Sequence, residues 1–501
     1  MAEGYPSVPP PPTPPAGPYG PPGPPGAHPQ AYAYGPPGGP YPTTPPPARR
    51  SRRGLWIGLG AAGLVLVLMV VGSVYALSSY LDKHSGVTAG PHDLVSQQDI
   101  DDLLEGRTRA LRDRDEKAFL APFEPADAAL VAQQTSLFRN LVKLPLAQAR
   151  YQEFISRDFA DTGAGVTFRS TVSFVHQFEA FDPEPVEELY EWTVVRAGPD
   201  APLRITKVTG RLAGGERRNA TTYHPAPWDL WRDIHVERTP HTVIISDAKL
   251  RAEARRLAPV AERAAVEDLA AWRDGGVTAE VPKGFVIALV KGKKQLGTLY
   301  RTTKETPTES GVAIPVPPVG AIQGDVADAL DVATTRVVID VGDRYYFGAG
   351  DPDQAAVLFR HELAHGIVNV LSELEIGVGG IDGHAKWVVE GFAEYLGHDR
   401  RKWTSSSRTE ESRSVFRVRG KLEQLPPNVL FAKNGQGSYH YWLAHSAIGY
   451  LAEKYGHQKV IRFVAAHYQG AGVDTALREQ FGMSYREFEK TWAAYVDDTV
   501  R

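Results

Sequence analysis

The sequence predicts an α+β protein: a single transmembrane helix followed by two globular α+β domains, the second mostly helical in its C-terminal half. Three observations predict this. Residues 54–78 form one uncharged apolar run. Between residues 92 and 220 the pattern changes from helical spacing to strict alternation. From residue 240 onward, strand-like runs come first and helices follow. The chain has 501 residues, a formal net charge of -4 and no cysteine. It is too long for one ordinary core. It can form no disulfide, so any metal site must be built from His, Asp or Glu. The near-neutral charge offers no concentrated basic face, which argues against a nucleic-acid partner.

The first segment, residues 1–53, contains twenty of the forty prolines, as in "PPPPTPPAGPYGPPGPPG". Such a stretch cannot bury a core and is expected to be a disordered tail of polyproline character. Proline-rich tails can also engage cytoplasmic partners with aromatic grooves. The basic cluster "RRSRR" at Arg49 to Arg53 precedes the apolar run. That run is long enough to span about 30 Å of hydrocarbon. Trp56 and Tyr75 lie near its ends, where interfacial aromatics collect. The arginines place the N-terminus in the cytoplasm and everything after Ser78 outside. The long preceding region favours an uncleaved anchor over a signal peptide. The expected location is therefore the cell membrane, single-pass, with extracytoplasmic C-terminal domains.

The middle domain is expected over residues 92–220. Helical runs at "SQQDIDDLLEGRTRALRDRDEKAFL" and "DAALVAQQTSLFRNLVKL" give way to alternation in "GVTFRSTVSFVHQF". There Val166, Phe168, Ser170, Val172, Phe174, His176 and Phe178 share one face. "QARYQEFIS", "EELYEWTVV" and "LRITKVTG" read as companion strands. Helices followed by a curved antiparallel sheet resemble the NTF2-like fold. That fold hosts enzymes, ligand pockets and interaction modules, so it assigns no activity. His176 reads as a packed or surface histidine. "HPAPWDLWRD" marks the domain boundary, with Trp228 and Trp231 packing the junction.

The last domain, residues 240–501, begins with "HTVIIS" and a long alanine-rich helix. Strands are expected at "GFVIALV", "QLGTLY" and "TTRVVIDVG", the last being either an edge strand beside a cleft or a covered core strand. The helix beginning near Asp353 holds "HELAH". His361 and His365 are one turn apart on it and can grip one Zn²⁺ together. Glu362 is turned by about 100° from His361, where it can act as a general base on a water at the metal. A metzincin-type third histidine at position 371 is excluded, because Leu371 stands there. "HAKWVVEGFAEYLGHD" supplies Glu390 and Glu394 one helical turn apart. One can complete the metal site while the other accepts a hydrogen bond from a ligand histidine.

With these residues the segment resembles gluzincin zinc metallopeptidases of the peptidase MA-like type. "HELAH" and "WVVEGFAEY" carry the resemblance, the latter being similar to the W-L-x-E-G-x-A-x-Y segment of aminopeptidase N relatives. It implies that Glu390 is the third metal ligand and that Glu394 is the acidic partner of a ligand histidine. The 24 residues between His365 and Glu390 exceed the usual interval, with "GVGGIDGH" forming a larger loop. The resemblance also nominates Tyr441, in "YWLAHSAIGYLAEKYG", as the phenol that stabilises an oxyanion. Tyr439, His440 and His445 are neighbours that could replace it, and a purely structural tyrosine is the open alternative. The G-x-M-E-N motif is absent, so amine-terminus recognition is not carried over. His384 and His398 flank the second glutamate helix, and each is either a spare ligand or, the favoured reading, a surface histidine.

The expected function is a membrane-anchored, extracytoplasmic peptidase. It hydrolyses peptide bonds in peptide or protein substrates, with Zn²⁺ as cofactor. The rival expectation is a zinc-binding but inactive membrane-tethered module or scaffold, acting through the middle domain and the proline-rich tail.

Overall fold

The computed structural model describes residues 94–500, except 162–164, 212–222, 301–307, 322–328, 349–351, 376–383, 407, 421 and 432–436. Residues 87–501 form one compact unit. The proline-rich tail and the apolar run at residues 54–78 lie outside the described residues. Among the described residues no helix is long and apolar enough to cross a membrane. The longest, Arg251–Asp274, carries charged residues throughout. The expected architecture is corrected on this point. The transmembrane helix, the membrane partner and the extracytoplasmic location have no support in the structure. What remains is a mixed helix-and-sheet protein.

Three helices open the described chain: α1 (Gln97–Arg112), α2 (Glu116–Leu120) and α3 (Ala128–Leu141). Each begins where a side chain accepts a hydrogen bond from an orphan backbone N–H. The caps are Ser96, Asp115 and Asp127. A four-stranded antiparallel meander follows: β1 (Leu146–Asp161), β2 (Val166–Phe178), β3 (Val186–Arg196) and β4 (Arg204–Gly210). Arg107 is buried against Phe119 with its Cζ 3.8 Å from the ring centroid, so helices and sheet close over a shared aromatic core.

The short helix α4 (Pro227–Leu230) leads into a five-stranded mixed sheet. Its strands are β5 (Ile234–Arg238), β6 (Thr242–Asp247), β7 (Phe285–Val290), β8 (Gly311–Val316) and β10 (Thr334–Asp340), in the order β5-β6-β7-β10-β8. Helix α5 (Arg251–Asp274) makes the crossover between the parallel strands β6 and β7. Helix α6 (Lys293–Thr298) follows β7. It occupies most of "QLGTLY", which was expected to be a strand. Leu296 and Leu299 there lie one turn apart and are both buried, a helical spacing in a run too short to show its period. "TTRVVIDVG" is the covered strand β10, flanked by β7 and β8. The edge beside it belongs to β8.

Alternate residues of this sheet serve two cores. Ile244, Ile287, Leu289, Val337 and Ile339 pack with α5 and the helices that follow. Val243, Ile245, Val286, Ala288, Val290 and Val338 pack with the middle meander and its helices. Burial on both faces explains why "GFVIALV" is continuously apolar instead of alternating. Trp228 and Trp231 are buried in the second of these cores. Asn140 on α3 fixes the connecting segment by donating to the carbonyls of Trp228 and Trp231 at 3.1 and 2.7 Å and accepting from Ile234 N at 3.0 Å.

The remaining elements are mostly helices. The small antiparallel pair β9 (Ala329–Asp331) and β11 (Glu373–Glu375) flanks them. The helices are α7 (Arg344–Phe347), α8 (Pro352–Asn369), α9 (Lys386–Gly397), α10 (Thr409–Arg419), α11 (Gly437–Tyr455), α12 (His457–Tyr468), α13 (Val473–Phe481) and α14 (Tyr485–Val500).

His176 is a packed histidine, 3 % exposed, with its ring edge-on to Trp228 at 5.1 Å. Burial, helped by the nearby Arg336 charge, pushes its pKa down to about 4. An unfolded histidine titrates near 6.5, so between these values the unfolded chain binds the extra proton and stability falls as pH falls. His176→Gln removes this dependence. Urea unfolding between pH 7 and 4 is expected to show the wild type losing about 3 kcal/mol more than the variant.

Candidate metal centre

Helix α8 carries His361 and His365 on the side turned towards α9. Leu363, Ala364, Ile367 and Val368 are fully buried and seat the helix on the sheet and its neighbours. Arg360 ties α8 to the end of α9 by donating to the Gly397 carbonyl at 3.0 Å. The two imidazoles meet with their Nε2 atoms 3.3 Å apart. Glu390 Oε2, from α9, lies 3.5 Å from each of these nitrogens. Three donor atoms thus form a nearly equilateral triangle. The side chains of His361, His365 and Glu390 are largely buried, with 11–13 % exposure left.

Helix α9 reaches this position because it crosses α11 closely. A Cβ on Gly391 would meet the Ala444 carbonyl oxygen at 2.4 Å, so the glycine of "VVEGFAEY" is required for the approach. Glu394, one turn beyond Glu390, does not point into the triangle. Its Oε1 lies 3.2 Å from His361 Nδ1, which fixes that ring with Nε2 towards Glu390. Arg408 holds the Glu394 carboxylate through Nε and Nη2, each at 3.3 Å. Burial opposes ionisation of Glu394, but Arg408 and His361 outweigh it and hold its pKa well below the ordinary value.

The charges within the cluster are strongly coupled. Burial disfavours a charged His361, yet Glu390 and Glu394 together push its pKa up to about 10. Burial likewise opposes a charged Glu390, and the two histidines reverse that effect. It is the convergence of three donor atoms, two imidazole nitrogens and a carboxylate oxygen, that could hold a metal ion. Glu362 is buried at 5 % exposure, and burial raises its pKa against the opposing pull of His361 and His365. It belongs to the site without joining the donor triangle. The first residue of β8 lies directly against it, since a Cβ on Gly311 would come within 2.6 Å of Glu362 Oε1.

Tyr441, at the start of α11, stands at the border of the site. Its ring centroid is 6.0 Å from that of His361, and the Arg408 guanidinium lies 5.2 Å above its face. Burial and the nearby Glu390 push its hydroxyl well above the usual phenol range. The neighbouring candidates go elsewhere. Tyr439 is buried and stacks on Trp442, and His440 pairs with the Leu430 carbonyl. His445 is fully buried and stacks on His398 at 5.2 Å.

Two expectations are corrected. His398 is not a surface residue, because its Nε2 lies 3.4 Å from Glu394 Oε2. His384 is half-buried, pairs with the Ser372 hydroxyl at 3.2 Å and packs on Tyr468. Arg408 and Tyr346, whose hydroxyl accepts from Arg408 Nη2 at 3.2 Å, were missed. They lie in stretches without periodicity or motif, and no pattern in the sequence marks them.

Among the described residues three groups could hold a metal ion. In Glu394–His398–His445 the carboxylate is already held by Arg408. In Glu188–His224–Asp229 the carboxylates already accept from Ala226 N, Trp228 Nε1 and the Tyr190 hydroxyl. The donor atoms of His361, His365 and Glu390 meet one another at 3.3–3.5 Å, with no other described side chain holding the carboxylate. No known family matches the chain, and no curated protein matches it.

Proposed function

We propose that the protein is a zinc-dependent peptidase of the gluzincin type, and that Glu362 activates the water that attacks the peptide carbonyl. The donor triangle carries this reading. Ligand atoms 2.0–2.1 Å from a tetrahedral zinc are about 3.3–3.4 Å apart. The sides measured here are 3.3, 3.5 and 3.5 Å. Two nitrogens and one carboxylate oxygen are also a donor set that zinc favours, with one position left for water or substrate.

Zinc bound there supplies a Lewis acid for the carbonyl and lowers the pKa of a nearby water. The chain's own residues do the rest. Glu362 takes a proton from the water and passes it to the leaving amine. Glu394 holds His361 in one tautomer, and Arg408 holds Glu394 ionised and in place. Tyr441 is the donor for the oxyanion. Among the described residues no strand pairs with the outer side of β8, which runs from Glu362 along the edge of the sheet, and there an extended substrate can add main-chain hydrogen bonds.

The test is hydrolysis of a mixed peptide library by the purified full chain. Cleavage is expected to be lost on chelation and restored by about one equivalent of zinc. A zinc-loaded protein that leaves every peptide intact would refute the reading.

A further inference from the structure

We propose that the middle meander is a brace for the substrate cleft, with Glu187 as the residue that positions the far end of β8. This inference rests on the peptidase reading for its kinetic consequence, though not for its structural one. Strand β8 has a single strand neighbour, β10, among the described residues. It also contains Pro315, which has no N–H to give to a ladder. Such an edge strand is prone to fray unless its ends are held.

The near end is held beside the metal centre. Gly311 lies against Glu362, and the Ser310 carbonyl accepts from Asp340 N at 2.8 Å. The far end is held by a different part of the protein. Just beyond β8, Pro318 forms an antiparallel bridge with Val186 at the start of β3. Val319 N donates to the Pro185 carbonyl at 3.3 Å. Gly320 N donates to Glu187 Oε1 at 3.0 Å. The second carboxylate oxygen of Glu187 accepts from the Ser173 hydroxyl on β2 at 2.6 Å. Glu187 is only 3 % exposed, so both its oxygens are satisfied inside by these two donors and they are fixed by it. Val186, Val316 and Ala333 close the contact with a small apolar cluster.

The chain therefore runs from the proposed general base, along an edge that no described strand covers, to a clamp on the middle sheet. Six residues of strand span about 20 Å, so the clamp acts on substrate residues remote from the scissile bond. If the clamp is released, the substrate must order the strand before using it, and that cost falls on binding. Short substrates that touch only the end near Glu362 are unaffected.

The experiment compares full-length wild type, Glu187→Ala, Glu187→Gln and Val186→Ala. Each is assayed on a peptide of about ten residues, long enough to cover β8, and on one of about three. Glu187→Ala is expected to raise KM for the long peptide about fivefold or more, with kcat and the short peptide unchanged. Glu187→Gln keeps an acceptor for Gly320 N and is expected to restore KM. Val186→Ala, the milder cut, raises it about twofold. Hydrogen exchange across residues 311–320 is read in parallel and needs no activity. It is expected to quicken about fivefold in Glu187→Ala, and to quicken also in Val186→Ala should the first variant not fold. Unchanged exchange in both variants overturns the brace, as does an equal fall in kcat for both peptides. A wild type that cleaves nothing sinks the peptidase reading, while exchange still judges the brace.

Discussion

Glu362→Gln is expected to keep the metal ion and to lower peptide hydrolysis by about 10³-fold. Glu362 follows His361 on α8 and is not one of the three donors, which meet one another at 3.3–3.5 Å. Glutamine has nearly the same shape, so the pocket against Gly311 stays filled. What it lacks is the basic oxygen that, in the proposed mechanism, accepts a proton from water and returns it to the amine. A loss of that size corresponds to about 4 kcal/mol of transition-state stabilisation. The check pairs metal analysis with kcat on one peptide. A variant that keeps both its metal and its rate would show that Glu362 is not the base.

His365→Ala and Glu390→Ala are each expected to empty the site, taking the protein from one bound zinc to nearly none. Each removes one corner of a triangle whose three sides are 3.3–3.5 Å. Two remaining protein ligands do not make a closed zinc site. Glu394→Ala is expected to behave differently. It removes the partner of His361 Nδ1 without removing a donor atom, so the ion stays and its affinity falls about 10–100-fold. Metal content after dialysis against a graded chelator separates the three variants. If Glu390→Ala keeps its zinc while Glu394→Ala loses it, the two carboxylates have been assigned the wrong way round.

The metal triangle was legible because both halves of it lie within single helices. His361 and His365 are related by one helical turn, and so are Glu390 and Glu394, and that spacing survives any tertiary arrangement. Choosing between Glu390 and Glu394 needed more than spacing, since the two carboxylates are equivalent in pattern. The structure separates them by what they face, the donor triangle for one and the Arg408 guanidinium for the other. Arg408 itself was invisible. It lies outside the helices that bear the motif, and its role exists only because α9 and the segment before α10 come together. His398 was misread for the same reason: a histidine at a helix end reads as exposed until something packs over it.

The sheet shows the same division. "GFVIALV" and "TTRVVIDVG" declared themselves as strands by composition, but "QLGTLY" folded as α6 because six residues are too few to display a period. Whether "TTRVVIDVG" lay at an edge or in the centre was undecidable from the chain alone. Strand order depends on pairing between segments far apart in sequence.

What the sequence determined by itself was local: which runs are helical or extended, and which histidines and glutamates share a helix face. These follow from backbone geometry that repeats every few residues. The resemblance had already nominated Glu390 over Glu394; only the tertiary structure decided which strand lies against Glu362 and that the middle sheet reaches β8 through Glu187. Those outcomes depend on burial and on contacts between separate segments, up to the 133 residues between Glu187 and Gly320, and no local period encodes them.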